Sequence, residues 1–471
     1  MRLAGRIAAA IEVLTDFETR RVPLKIAIAD WSRNARYAGS KDRAWISGLC
    51  LDALRRRASL AAMMQDETPR AAIFSALRAL WNVAPEDIAE AAAETPHGPG
   101  ALSETEKSAL QKLAALAGDA PDFVRGDYPE WTAPMMNRAF GARAAEEGAA
   151  LAARADIDLR LNTLKASPEK ALVALETVRA EIVPTLTTAA RIAAPDPSEK
   201  APAVTVIPAF NKGWVEVQDL GSQIAAAAAG AIKGAQVLDF CAGGGGKTLA
   251  LAALMENSGQ LYAYDNDARR LQPLYERAKR AGVRNLQIIN PATDKVALEG
   301  FAAKMDVVFV DAPCTGSGTW RRHPDTKWRL TPEQLERRTE EQDAVLRDAA
   351  GFVKPGGRLV YVTCSMFLEE NEDRLAAFLA ENPAFAFEPA LERIADSSVL
   401  TPEGRAALET CLTPDGALRL TPARMRTDGF FISVLNRAKE LMGGRLLFLC
   451  GSLDRAALHD EARMTQSGNI L

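Results

Sequence analysis

The hydrophobic rhythm of the chain changes twice. Up to about residue 95, apolar positions fall at helical spacing, as in Ile7, Ile11 and Leu14 and again in Ile46, Leu49, Leu51 and Leu54, which predicts an all-helical segment. Thr95-Pro96-His97-Gly98-Pro99-Gly100 reads as a loop, and a further helix is expected from Ser103 to about Leu116. Helical text resumes after Asp122 and runs to about Arg154; Ile157 to Leu164 then alternates apolar and polar residues as a half-buried strand does. A helix over 168–179 and short strands ending at Trp214–Gln218 complete a small α+β unit. From about Asp219 to Arg437, strands are predicted at 236–240, 260–264, 286–289, 306–310, 358–363 and 429–435, separated by helical stretches. Such alternation predicts a doubly wound α/β sheet. The expected domains are 1–120 helical, 121–218 small α+β, 219–437 doubly wound α/β, and a tail over 438–471 whose apolar run at Leu446–Leu449 has no assigned role.

The richest local signal lies in the third domain. Val237-Leu238-Asp239-Phe240 runs through Cys241-Ala242 into four consecutive glycines, Gly243 to Gly246, and then into the helix formers from Lys247-Thr248 to Met255. A strand, a turn without Cβ atoms and a helix N-terminus let backbone N–H groups approach a ligand closely; a plain tight turn is the alternative. The next strand ends in Asp265, placed where a carboxylate takes ribose hydroxyls, or where it only caps the following helix. The glycines lack the G-x-G-x-x-G spacing that a pyrophosphate needs, which disfavours a nicotinamide enzyme and favours a nucleoside ligand such as S-adenosylmethionine. Two further strands run into cysteine: Asp311-Ala312-Pro313-Cys314-Thr315-Gly316-Ser317-Gly318 and Thr363-Cys364-Ser365. Ligands in open α/β sheets sit beyond the carboxyl ends of the strands, so both thiols are expected at the cofactor crevice.

Composition narrows the class further. A hydrophobic share of 48% and a charged share of 25% are those of an ordinary globular chain, and no apolar run is long enough for a membrane-spanning helix. The amino-terminal stretch carries charges within its apolar residues and reads as an amphipathic helix, with no signal-peptide core. The six cysteines form no CxxC pair, which argues against zinc, other metals and disulfides, and for a reducing cytoplasm. A net charge of −4 means that any polyanion must meet local basic patches. One such excess lies in residues 1–70, with 13 Lys and Arg against 8 Asp and Glu. There Arg55-Arg56-Arg57 suits either a helix C-terminus or phosphate contacts.

Several of these stretches resemble the Sun family of RNA 5-methylcytosine methyltransferases, in particular its bacterial RsmB-like members. Val217-Gln218-Asp219 with Ser222-Gln223, the loop Cys241 to Thr248, both cysteine motifs, Arg322-His323-Pro324-Asp325, Lys327-Trp328-Arg329 and Asp428-Gly429-Phe430-Phe431 carry the resemblance over roughly 127–437. Ser40-Lys41-Asp42-Arg43 and Ala53-Leu54-Arg55-Arg56 resemble, more weakly, a NusB-like RNA-binding domain. The resemblance implies a class I, Rossmann-like methyltransferase domain preceded by an RRM-like α+β domain, with S-adenosylmethionine as cofactor. It also implies a monomer acting on RNA, 16S ribosomal RNA before transfer RNA. Carbon 5 of cytosine is a poor nucleophile until a thiolate adds at carbon 6. By resemblance Cys364 is that nucleophile, Cys314 assists product release, Asp311 bonds the ring, and Lys247 contacts the base carbonyl unless it points to solvent. The cofactor is expected on Cys241, Ala242, Gly243, Gly244, Gly245, Gly246 and Lys247, with Asp265 on its ribose, Asp311 nearby, and Asp294 or Asn290 near the adenine. Arg321, Arg322, His323, Lys327, Trp328 and Arg329 are expected to meet RNA, a plain solvated loop being the alternative. Gly244 departs from the family's usual proline, and a looser cofactor loop is the expected consequence. The readings that compete are an idle RNA-binding or assembly factor, a nucleotide-dependent dehydrogenase and a DNA cytosine methyltransferase. Cys364, in the second cysteine motif, favours RNA over DNA.

Overall fold

A computed structural model of the chain describes residues 1–112, 116, 119–197, 202–293, 296, 298–440 and 446–447. Between Leu3 and Lys112 it consists of seven α-helices around their own core. The first helix, Leu3–Arg20, shows why the amino-terminal pattern folds this way. Its buried residues Ile7, Ala10, Leu14 and Phe17 recur every three or four positions, so one stripe faces inward while the charged face meets solvent.

Three α-helices, with two short 3-10 turns between them, follow between Asp122 and Leu151. They were expected to belong with the small α+β unit. Instead Tyr128, Met136, Ala144 and Leu151 share a core with Trp320, Met366 and Phe367 of the third domain. Their apolar faces are complementary to the cysteine-motif loops and not to the small sheet, so they act as a buttress for those loops.

The small sheet comprises β1 (Ile157–Leu161), β2 (Glu181–Ile182), β3 (Ala189–Ile192) and β4 (Val215–Val217), in the antiparallel order β2-β3-β1-β4. The large sheet comprises β5 (Gln236–Asp239), β6 (Gln260–Tyr264), β7 (Leu286–Ile289), β8 (Met305–Asp311), β9 (Val353–Thr363), β10 (Phe385–Glu388), β11 (Leu418–Leu420) and β12 (Phe430–Arg437). Its order is β10-β12-β9-β8-β5-β6-β7, with β11 also on β12. The strands from β9 to β7 in that order run parallel, and β12 is antiparallel to β9. Alternate residues feed two cores: Val237, Val307, Phe309 and Val360 on one face, Leu238, Val308, Val310 and Leu359 on the other. A sheet covered on both faces requires such nearly continuous apolar strands. In the tail Lys439–Glu440 pairs with Leu446–Leu447; the rest of the apolar run lies outside the described residues. Among the described residues no helix is long and apolar enough to cross a membrane, and no group of three or more His, Cys, Asp or Glu side chains is placed to hold a metal ion.

Candidate active site

The carboxyl ends of β5, β6, β8 and β9 bring three loops together. The first follows β5. Gly245 caps the helix Gly246–Leu254 at φ +82°, and a Cβ there would fall 2.2 Å from the Leu274 side chain. Gly243 stands at φ +51°, with its N–H donating 3.0 Å to the Asp265 carboxylate. Glycine is required at both positions by conformation, and at Gly245 also by space. Gly244 is different: it avoids the left-handed region, and a Cβ would meet only Arg277 at 3.6 Å. Its carbonyl accepts a 2.6 Å bond from Arg277, which is itself paired with Glu216. The looseness expected of Gly244 is therefore opposed by a tertiary tie. Gln218, from the entry motif, donates to the Gly246 carbonyl at 3.2 Å and closes the loop from the other side.

The loop fits a nucleoside. The first N–H groups of its helix have no intrahelical acceptors. Buried Asp265 directly follows β6 and receives Arg270 as well as Gly243. Below it Asp239 accepts from Thr248 at 2.6 Å while its other oxygen is buried without a partner. Burial, aided by the nearby Asp311 and Asp265 charges, lifts Asp239 to about 7. Burial likewise holds the Cys241 thiol well above its usual range, which makes it an inert lining. Asn290 directly follows β7 and accepts from the Ala292 N–H at 2.9 Å; Asp294 lies outside the described residues.

The second and third loops carry the two other cysteines. Cys314 and Cys364 place their sulfurs 3.4 Å apart. The hydrogen bond to Cys364, then burial and the Cys364 and Glu370 charges, raise Cys314 well above an ordinary thiol. Lys247 donates 2.7 Å to Asp311 and stands 5.2 Å from the Phe430 ring. It does not point to solvent. Burial works against its ammonium, but Asp311 and the Cys364 charge outweigh burial and raise its pKa.

The sulfur pair is framed by residues that the sequence did not single out. Glu370 is buried between the two loops. It accepts from the Thr315 N–H at 2.7 Å, the Thr315 hydroxyl at 2.5 Å and Gln342 at 3.1 Å, and from the Ser365 hydroxyl. Thr315 follows Cys314 and Ser365 follows Cys364, so one carboxylate ties both thiol-bearing loops. Burial raises its pKa. Gly318 donates 2.9 Å to the Cys364 carbonyl, and a Cβ on it would lie 2.2 Å from the Gly429 oxygen. The only sequence hint of Glu370 was its nearness to Cys364, because its partners come from elements far apart in the chain.

The residues expected to meet RNA are mostly committed elsewhere. Arg321 and Arg322 both bridge Asp219 and Asp428. Lys327 is buried and donates to the backbone carbonyls of Arg55 and Asp127. Trp328 donates 2.6 Å to the Leu54 carbonyl, and Arg329 donates 3.1 Å to that of Arg21. Only His323 is left exposed. Lys327, Trp328 and Arg329 thereby tie the helical domain to the catalytic one, while Arg321 and Arg322 are held within the catalytic domain, because buried cations need fixed partners.

The family model described as 16S rRNA methyltransferase RsmB/F matches residues 230–436. A Synechocystis protein named probable ribosomal RNA small subunit methyltransferase B is 32% identical over 315 residues, 66% of this chain and 67% of that one. Among solved structures, PH0851 gives a TM-score of 0.66 at 24% identity, covering 93% of this chain and 99% of its own. A methyltransferase homologue from Pyrococcus horikoshii gives 0.53 at 26% identity, covering 67% and 97%. The chain belongs to the RsmB/F family of methyltransferases, whose methyl donor is S-adenosylmethionine.

Proposed function

We propose that the protein methylates carbon 5 of a cytosine in small-subunit ribosomal RNA. The observation that carries this reading is the 3.4 Å pair of thiols beside the Lys247–Asp311 ion pair, beyond the ends of β8 and β9. Two sulfurs held together without a disulfide suit a reaction that needs one as nucleophile and one as proton carrier. The name of the Synechocystis relative supports the ribosomal substrate.

In this mechanism the Cys364 thiolate adds to carbon 6 of a base taken out of its stack, and the ring's electron pair moves to carbon 5. Asp311 and Lys247 bond the ring's polar edge and stabilise the charge that develops there. Bound S-adenosylmethionine supplies an electrophilic methyl group, and Ala242 to Lys247 with Asp265 hold it. The proton then leaves carbon 5, the Cys364–carbon 6 bond breaks and the aromatic ring returns. Once Cys314 has given its own proton to solvent, its thiolate takes the carbon 5 proton, and so serves this release.

The test is methyl transfer from labelled S-adenosylmethionine to total RNA by wild type, Cys364→Ala and Cys314→Ala. Label in ribosomal RNA that vanishes with Cys364→Ala, together with a protein–RNA adduct in Cys314→Ala, is expected. An active Cys364→Ala with an inactive Cys314→Ala would reverse the two roles.

A further inference from the structure

The helix that opens beside the cofactor loop, Ala268–Ala281, ends about 20 Å away at 1.5 Å per residue, against the small sheet. There a groove of about 710 Å³ opens between its last turn and the edge strand β4, lined by Lys165, Lys212, Trp214, Glu276, Lys279 and Arg280 among others. Three segments distant in sequence bring their cations to it. Lys165 follows β1, Lys212 and Trp214 precede β4, and Lys279 closes the helix. Lys170, on the short helix Pro168–Val173, joins them: its ammonium and that of Lys212 lie 4.7 and 4.8 Å from the Trp214 ring centroid. Lys165, Lys170, Lys212 and Lys279 are exposed, and none has a carboxylate at ion-pair distance among the described residues. Arg280 is the exception, bonded to buried Glu216 and stacked 4.1 Å over Phe210. Glu276 alone opposes the lysines from within the groove.

We propose that this groove is a second contact surface, one that takes the phosphate backbone of the RNA on which the protein acts. The inference rests on the RNA reading above. Four unneutralised lysines gathered in space, in a chain of net charge −4, make a local field of a sign the whole molecule lacks. Cations above an indole are oriented by its ring while their remaining N–H groups stay free for an acceptor. Tyr275, 46% exposed and one turn before Lys279 on the same helix face, adds an aromatic surface on which an unpaired base can stack. The groove is also tied to the catalytic end. Arg280 shares Glu216 with Arg277, and Arg277 holds the Gly244 carbonyl of the cofactor loop.

The experiment measures binding of a 16S ribosomal RNA fragment across a salt series for the full chain and for a Lys165→Glu, Lys212→Glu, Lys279→Glu triple variant. A Gln triple serves as a milder control. Both triples should bind more weakly and lower the slope of log affinity against log salt by about 2, from ~0.7 for each of three single-strand phosphates. KM for RNA should rise at least tenfold while kcat and S-adenosylmethionine affinity stay unchanged. A slope and KM equal to wild type would overturn the groove as an RNA surface, as would loss of S-adenosylmethionine binding in the Gln triple, which would mark the lysines as structural. An acidic protein displaced by the substitutions while RNA affinity holds would reassign the groove to a protein partner and overturn the proposal. Failure of the underlying reading looks different: the wild type itself would then transfer no methyl group to any RNA.

Discussion

Two cationic regions of this molecule have opposite histories. Arg321 to Arg329 is dense in charge along the sequence, yet almost all of that charge is consumed inside the fold by Asp219, Asp428 and backbone carbonyls of the helical domain. The lysines of the Trp214 groove are scattered over more than a hundred positions and meet at one face without acidic partners. Charge density along a chain therefore says little about charge available to a ligand. Burial decides, because a buried cation must be paired whereas a solvated one need not be.

The contrast is sharpest at Arg321. Its side chain is 4% exposed and shares Asp219 and Asp428 with that of Arg322. Arg321→Ala should leave buried carboxylates under-compensated and cost about 3–5 kcal/mol, measured by urea unfolding. A loss below about 1 kcal/mol, the size of an exposed pair, would erase the distinction between the two regions. Next comes Glu370→Ala, which removes the acceptor shared by Thr315, Ser365 and Gln342. Displacing a reacting group by about 1 Å costs on the order of 10²-fold in kcat, so turnover should fall by that much while S-adenosylmethionine affinity, set by another loop, holds. Equal loss in both would make Glu370 a general fold residue.

Lys327 gives a pH test. Burial lowers it from 10.5 to about 7, despite the opposing Asp127 charge and with help from Arg55 and Arg56. Between these values the unfolded chain holds more protons than the folded one, so stability should rise with pH through that window. Lys327→Met should flatten the rise in thermal melts between pH 7 and 10. An unchanged pH profile would mean that Lys327 is not the group responsible. Smallest of all, Lys170→Ala in the groove should shift stability by no more than about 1 kcal/mol, since the side chain is exposed and held only over the Trp214 ring, with no ion-pair partner. A larger shift would return that lysine to the structural class.

Legibility followed the range of the interactions. Strands β5, β6, β7 and β8 stood where their apolar runs put them, because a strand covered on both faces must be continuously apolar. β10 and β11, of four and three residues, passed unnoticed because such short runs carry little pattern. β9 begins at Val353, ahead of the expected 358, since Pro355-Gly356-Gly357 reads as a break yet lies within the strand. At the site, the glycines and both cysteine motifs were visible as local patterns. Glu370, Gln342 and the Arg277–Glu216 tie were not, because each acts on a residue reached only by folding.

By itself, the sequence determined the conformations that depend on a residue's own backbone and size. Gly243 and Gly245 had to be glycine for positive φ, and the parallel strands had to be apolar throughout. Tertiary structure alone decided which polar groups would be neutralised. The 3.4 Å sulfur pair, the buried Arg321–Arg322 cluster and the open lysine groove all depend on what is packed beside each charge or thiol. Desolvation and pairing act through space, and no spacing along the chain encodes them.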